Sequence, residues 1–380
     1  MTAPRRHRVL VNAVHARAGG GVTYLCNLLP LLAAETDLNV HIIPHPSQAH
    51  AFAALSPDLT IHRIAMPAGW LPLLLWEQTV LPFLAWRIGF DVILSPANFG
   101  PLLLPNHVIV MQNTLAVGAQ ETRFGKRLYW ASLRAMTALS LLVALRAIAV
   151  SRYVAGTTAP TRFRHGAPVV IHHGVAAVFS PPQAGDAREN FLLAVGDLYI
   201  QKNLHSLIEA LALVRRQHPD IALRIAGAEI DADYATALHR LVRERDLCDA
   251  VIFLGRRETA EIVELYRRCA VFVFPSTAES FGMPLVEAMA CGAPIIASNT
   301  TAIPEIAGDA ALLCDPTDPR DIAAEILRLL DDPTLRQSLS ARAILRAKTF
   351  SWSDCARRTA AVLREAAASR SRRAVAMSSR

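Results

Sequence analysis

The stretch VFVFPSTAESFGMPLVEAMACGAPIIAS, residues 271–298, sets an apolar run, a turn-forming loop, a helix-like segment and a second apolar run in immediate succession. Val271–Phe274 and Pro294–Ala297 read as buried strands, each short and bounded by Pro, Ser or Gly. Between them, Pro284 stands where a helix opens, because proline's missing N–H is no loss in a first turn. Strand, helix, strand in so short a span is one βαβ unit, and that implies a parallel sheet.

The same alternation extends outward. Phe191–Val195, Ala222–Ala226 and Val251–Leu254 read as further strands, and Leu204–Arg216, Tyr234–Arg245 and Thr259–Arg268 as amphipathic helices. The first half repeats the scheme less cleanly, with strands at Arg8–Asn12, Val40–Ile43, Val92–Leu94, Val108–Met111, Ala147–Val150 and Val169–His172. Its helices, around Leu71–Ile88 and Leu128–Ala144, are richer in Leu, Trp and Ala. A chain of 380 residues holds about two domains. The Pro-, Gly- and charge-rich segment FSPPQAGDAREN, 179–190, is the best linker. The expected organisation is an α/β domain over 1–178, a linker over 179–190, a second α/β domain over 191–355, and over 356–380 a C-terminal helix that can pack back on the first domain. The serine- and arginine-rich end reads as a basic disordered tail.

Composition narrows the function classes. Hydrophobic residues make up 52% and charged residues 19%, which suits packed cores rather than a disordered chain. Six scattered cysteines show neither CxxC pairs nor zinc-ligand spacing, so a reducing compartment and no structural metal are expected. The start is too short in apolar residues for a secretory signal, and no segment reads as the roughly 20-residue apolar span of a membrane helix. The expectation is a cytoplasmic protein, peripheral on the inner face of the membrane at most. Residues 1–178 carry 14 Lys/Arg against 6 Asp/Glu, whereas residues 179–365 carry 21 against 26. A basic first half suits an anionic substrate or an anionic membrane surface, and no nucleic-acid-binding motif is present.

Three strand-to-helix loops could carry chemistry. In VGDLYIQKN the strand ends at Gly196, and Lys202 and Asn203 stand where a helix begins; Asn203 is a candidate N-cap, and a lysine beside a helix N-terminus is an anion site. In ARAGGGVTYL, Gly20 and Gly21 open the first helix and let a ligand approach the backbone closely. In the opening stretch, the break at Phe281, Gly282 and Met283 frees N–H groups ahead of Pro284, with Glu279 on the loop and Glu287 about one turn inside the helix. Taken singly, each is as readily an ordinary turn, an exposed lysine or a surface acid. At the carboxyl ends of strands in an open sheet, however, such loops are where ligands bind.

Those residues carry a resemblance. VGDLYIQKN, the run from LGRRETAEIVELYRRCAVFVFPSTAESFGMPLVEAMACGAPIIAS to AALLCDP, and FSW near the end resemble the retaining glycosyltransferases of the GT4 group, from Val195 to about Trp352. The resemblance implies the GT-B fold, two Rossmann-like doubly wound domains facing each other across a cleft. It implies that Glu279 sits by the transferred sugar, that Glu287 binds the nucleotide ribose, that the Phe281–Met283 backbone holds sugar and phosphate, and that Lys202 neutralises the diphosphate. Negative charge growing on a leaving diphosphate can be met by a lysine and helix N-termini, and no aspartate pair of the magnesium-holding kind stands out, so no metal or other cofactor is expected. Two departures stand out. Asp197 and Gln201 occupy the loop where many relatives have an arginine, leaving Arg256 or Arg257 to share the phosphate, and Gln112 and Asn113 stand where many relatives have a His-Asp pair. His173 falls on a loop that, in the family, returns toward the cleft, and is retained as a donor-side contact, although a structural role suits it better.

The function expected is transfer, with retention, of a sugar from a nucleotide-diphosphate sugar to a glycan or lipid-linked glycan acceptor in cell-surface polysaccharide synthesis. The Trp- and Leu-rich stretch GWLPLLLWEQTVLPFLAW, residues 69–86, reads as a buried helix somewhat better than as a membrane-facing one. The rivals are a catalytically silent sugar-nucleotide-binding subunit and a nucleotide-sugar epimerase. A nicotinamide-dependent oxidoreductase is disfavoured because GGGVTY lacks the GxGxxG spacing.

Overall fold

The computed structural model describes residues 6–16, 19–104, 106–113, 124–158, 166–182 and 187–378. The chain divides into a first unit, residues 1–174 with 351–380, and a second unit, 175–350.

The first unit runs β1 (His7–Ala13), α1 (Gly20–Ala33), β2 (Leu38–Pro44), α2 (Ala49–Ala53), β3 (Thr60–Ile61), α3 (Trp70–Ile88), β4 (Val92–Ser95), β5 (His107–Met111), α4 (Phe124–Val143), β6 (Arg146–Ala149), α5 (Arg152–Thr158) and β7 (Val169–Val170). Its strands form one sheet in the order β3-β2-β1-β4-β5-β6-β7, and every pairing is parallel. The second unit runs β8 (Phe191–Val195), α6 (Leu204–Val214), β9 (Ala222–Ala226), α7 (Ala232–Glu244), β10 (Val251–Gly255), α8 (Thr259–Arg268), β11 (Val271–Phe274), α9 (Met283–Ala290), β12 (Ile295–Ser298), α10 (Ile303–Ala307), β13 (Leu312–Cys314), α11 (Pro319–Asp331) and α12 (Pro333–Ala347). Its sheet, also all parallel, has the order β10-β9-β8-β11-β12-β13. A last helix, α13 (Trp352–Ser378), belongs to the first unit.

Each sheet is a doubly wound Rossmann sheet, in which the strand order reverses between the first and fourth strands. Continuous apolar runs make this possible: every residue of β5, β11 and β12 is buried, as strands covered by helices on both faces must be. In the second unit Leu192, Ile225 and Val273 of the sheet pack with Leu207 and Leu211 of α6, Leu238 of α7 and Ile326 of α11 in one core. The strands β3 and β13, with two and three residues, are too short to show an apolar run, and sequence reading passes over both.

The boundaries differ from the sequence expectation. The chain leaves the first unit after Gly174, ahead of the 179–190 segment, of which 183–186 lie outside the described residues. It returns at Ser351 rather than at 356, because Trp352 is already core: its ring packs 5.6 Å from His173 and 6.0 Å from Tyr24. Gly174 marks the crossing, since a Cβ there would lie 2.1 Å from the backbone nitrogen of Trp352. The stretch expected to be a disordered tail continues α13 as helix to Ser378; its Ala- and Arg-rich sequence holds neither Gly nor Pro to stop it.

Candidate active site

In the second unit the reversal of strand order lies between β8 and β11, and the loops leaving their carboxyl ends hold the residues singled out above. The β8 loop passes Gly196 and makes one 3-10 turn, Ile200–Lys202, before α6. The β11 loop passes Ser276 and Glu279 and enters α9 through Gly282, whose φ of 92° falls in the left-handed region open to glycine. A Cβ at Gly282 would also lie 3.3 Å from the Phe274 ring.

The two loops meet at an ion pair. Lys202 Nζ lies 2.6 Å from Glu279 Oε1, with the two side chains only 18% and 13% exposed. The ammonium also stands 5.4 Å from the centre of the Phe274 ring, a cation–π arrangement. Gly196 leaves room for this lysine, because a Cβ on it would meet Lys202 Cε at 3.1 Å. The loops are stitched further by backbone: Thr277 N donates to the Gln201 carbonyl at 2.9 Å, and Glu279 N donates to the Thr301 hydroxyl at 3.2 Å. The buried Ser276 hydroxyl, in the same wall, has no hydrogen-bond partner among the described residues.

Glu287 sits one turn into α9, where the Tyr266 hydroxyl donates to its Oε2 at 3.4 Å. Burial raises its carboxyl from the ordinary value to about 7, and the tyrosine bond offsets this only in part. Tyr266 is itself fully buried and edge-on to Phe272, so the carboxyl has an apolar surround on that side. Phe281 is buried against Phe350, with ring centres 5.7 Å apart, and Met283 begins α9.

Several expected site residues do other work. Asn203 is not a side-chain N-cap. Its amide donates to the Pro275 and Pro316 carbonyls, the first at 3.1 Å, and its oxygen accepts from Ser206, so the buried side chain fastens the β8 loop to the β11 loop. His173 is a core residue of the first unit, stacked on Trp352 and packed on Tyr24; burial drives its pKa down to about 3, which corrects the expected donor-side contact. Arg256 is exposed on the loop after β10, the edge strand, and Arg257 beside it pairs with Glu261 at 3.2 Å; neither contacts Lys202 or Glu279 among the described residues.

In the first unit, Gly20 and Gly21 open α1, and a Cβ on Gly20 would meet nothing within 4 Å. Gln112 and Asn113 leave β5 with both backbone N–H groups donating to Asn98 Oδ1, at 2.7 and 2.9 Å. Asn98, with φ 67°, and the cluster of Asn12, His15 and Glu77 at the ends of β1 and β4 escaped sequence reading. One signal was available for the cluster: Glu77 is a lone acid inside the apolar helix LLLWEQTVL. No group of three or more His, Cys, Asp or Glu able to hold a metal ion occurs among the described residues.

Residues 177–346 match the glycosyl transferases group 1 family. The O-antigen chain mannosyltransferase B of Escherichia coli is 36% identical over 177 residues, 46% of this chain and 45% of that protein. The chain spans less than half the length of the curated relatives it matches. The sucrose-phosphate synthase of Thermosynechococcus elongatus superposes with a TM-score of 0.79 at 22% identity, covering 96% of this chain and all of that one. Anabaena HepE, solved with UDP and glucose, gives a TM-score of 0.76 at 20% identity over 95% of this chain and all of its own. At these identities the structures speak for the fold, which is GT-B with two Rossmann-like units.

Proposed function

From the match of residues 177–346 to the glycosyl transferases group 1 family, we propose that the chain is a member of that family and moves a sugar from a nucleotide-diphosphate sugar to a glycan or lipid-linked glycan, with retention of configuration, in cell-surface polysaccharide synthesis. The observation that carries this reading is the Lys202–Glu279 pair at the reversal point of the second sheet, beside the open N-terminus of α9.

The chemistry follows from the charges. Breaking the bond from the sugar to the diphosphate builds negative charge on the leaving group and positive character on the sugar ring. Lys202 and the positive end of the α9 dipole meet the diphosphate, and Glu279 then turns to the hydroxyls of the transferred sugar. Glu287, one turn deeper, takes the ribose hydroxyls. In this account the lysine and the helix N-terminus supply the electrostatic stabilisation that a divalent ion gives elsewhere, so chelators leave turnover unchanged. The similarity to an O-antigen chain mannosyltransferase makes mannose donors the first to try.

The first unit is read as the acceptor side, peripheral on an anionic membrane surface. What supports this is its basic charge and the outer face of α3, where Leu71, Leu75, Phe83 and Trp86 are 56%, 58%, 54% and 74% exposed. That exposure corrects the expectation of a buried helix: only the opposite face, with Leu73, Leu74, Leu81 and Ala85, is covered. No helix among the described residues is long and apolar enough to cross a membrane.

A thermal-shift screen against UDP-, GDP-, ADP- and dTDP-sugars tests the donor reading, because a ligand that binds the folded state raises its melting temperature. A shift with one nucleotide class, lost in Glu287→Ala, is expected. Absence of a shift with all four counts against the donor reading, and equally against a silent subunit that binds sugar nucleotides, unless acceptor or membrane completes the site.

A further inference from the structure

The first unit holds a polar cluster at its own reversal point, between β1 and β4. Glu77, in the middle of α3, is fully buried. Its Oε1 accepts from Asn12 Nδ2 at 2.5 Å, and its Oε2 faces His15 Nε2 at 3.1 Å. Asn12 stands near the end of β1, with Ser95 Oγ of β4 at 3.5 Å from the same amide nitrogen. His15 follows on the β1–α1 loop, its ring 4.8 Å from that of Phe99, with 14% of its side chain exposed. Trp70 and Trp130, both partly buried, pack on the apolar cluster around Phe99.

The hydrogen-bond inventory fixes what this cluster can accept. A buried carboxylate is costly unless donors satisfy it, and both Glu77 oxygens are met by N–H groups. That requires a His15 proton on Nε2, and in the tautomer that carries its one proton there Nδ1 is an acceptor, with no partner among the described residues. Asn12 Oδ1 is likewise buried without a donor, and reversing the amide would set its oxygen against the Glu77 carboxylate. Of these two acceptors at the carboxyl end of the sheet, only that of His15 is on a partly exposed side chain, since Asn12 is buried. An anion is excluded by the surrounding acceptors and carboxylate. A cation would compete for oxygens already taken. A neutral hydroxyl that donates to His15 beside an aromatic wall fits.

We propose that Asn12, His15 and Glu77 form a hydroxyl-recognition site for the sugar acceptor, in which His15 Nδ1 accepts a hydrogen bond from an acceptor hydroxyl. Glu77 and Asn12 are the positioning residues that hold the ring in the one tautomer able to do so. The inference rests on the reading of the first unit as the acceptor side, and it assigns residues to that role.

Long-range nitrogen–proton spectra of the full chain at neutral pH test it, with the His15 signals assigned by their loss in His15→Gln. A neutral ring protonated on Nε2 is expected, with the Nδ1 resonance moving on titration with methyl α-mannoside or methyl α-glucoside. A ring protonated on Nδ1 or on both nitrogens overturns the proposal, as does an Nδ1 signal unmoved by either glycoside, which would mark the cluster as a structural ion pair. Nucleoside diphosphates titrated into the same sample report on the second unit separately: nucleotide binding with an inert His15 removes this site and leaves the transferase reading, and the converse removes only the latter. In turnover assays, His15→Gln is expected to raise the acceptor KM about tenfold, the worth of one lost hydrogen bond, with the donor KM unchanged. An equal rise in both would contradict an acceptor role.

Discussion

Seven residues separate Glu279 from Glu287, and the fold treats the two acids in opposite ways. Glu279 is matched by Lys202, while Glu287 is half-buried, receives a tyrosine hydroxyl and has a pKa raised by burial to about 7. For a carboxyl whose folded pKa lies above its unfolded value, stability is full below the unfolded pKa and is lost as pH rises through the folded one. Glu287→Gln removes that loss. The variant is expected to match the native chain in melting temperature near pH 4.5 and to exceed it at pH 8, by up to about 3 kcal/mol for a shift of this size. A melting difference that is the same at both pH values would show that Glu287 carries no ionisation penalty. At this scale the sequence singled out Glu279 and Glu287 by their spacing around a Gly-Met-Pro break and Lys202 by its place where a helix begins, all of them local signals. It did not reveal that Asn203 is spent on carbonyls from two distant loops, nor that His173 is wedged between Tyr24 and Trp352, because both depend on partners far along the chain.

Among the elements, α9 and α3 show why the second half was the more legible. In the second unit each strand and its following helix are close in sequence, with Gly282 and Pro284 marking where α9 begins. In the first unit the decisive helix α3 is apolar all round, so periodicity could not say which face was covered. The structure shows a buried face and an exposed stripe of Leu71, Leu75, Phe83 and Trp86, with Arg87 in the last turn. Apolar side chains flanked by basic ones bind anionic bilayers. Flotation of the full chain with anionic liposomes is expected at low salt, weakening as salt rises, and Phe83→Ser with Trp86→Ser together should abolish it while the melting temperature holds. Failure to float at low salt would remove the membrane from the account.

Over the whole chain, two doubly wound sheets and a helix that returns to the first of them define the architecture. The return is anchored by Arg364 of α13, whose guanidinium meets Asp37 at 2.6 and 2.7 Å and Glu35 at 2.6 Å, and this bond holds the Asp37 carboxyl below its ordinary range. Because the pair is about a third exposed, Arg364→Ala is expected to cost only about 1 kcal/mol. The Asp37 share of that stability is present above its unfolded pKa and is lost as pH falls through the folded one, so the cost should shrink in acid and in high salt; a cost unchanged in both would place the contribution in packing instead. The return point itself was misread in the sequence by five residues, because only the folded chain shows Trp352 inside the first unit's core. The central claim is that the second unit grips a diphosphate through Lys202. Calorimetric titration of the full chain with the nucleotide sugar identified by thermal shift tests this most directly, with Lys202→Ala beside it. The account expects binding to the native chain and a loss of about tenfold or more, ~1.4 kcal/mol, in the variant; equal affinity in the two would contradict it.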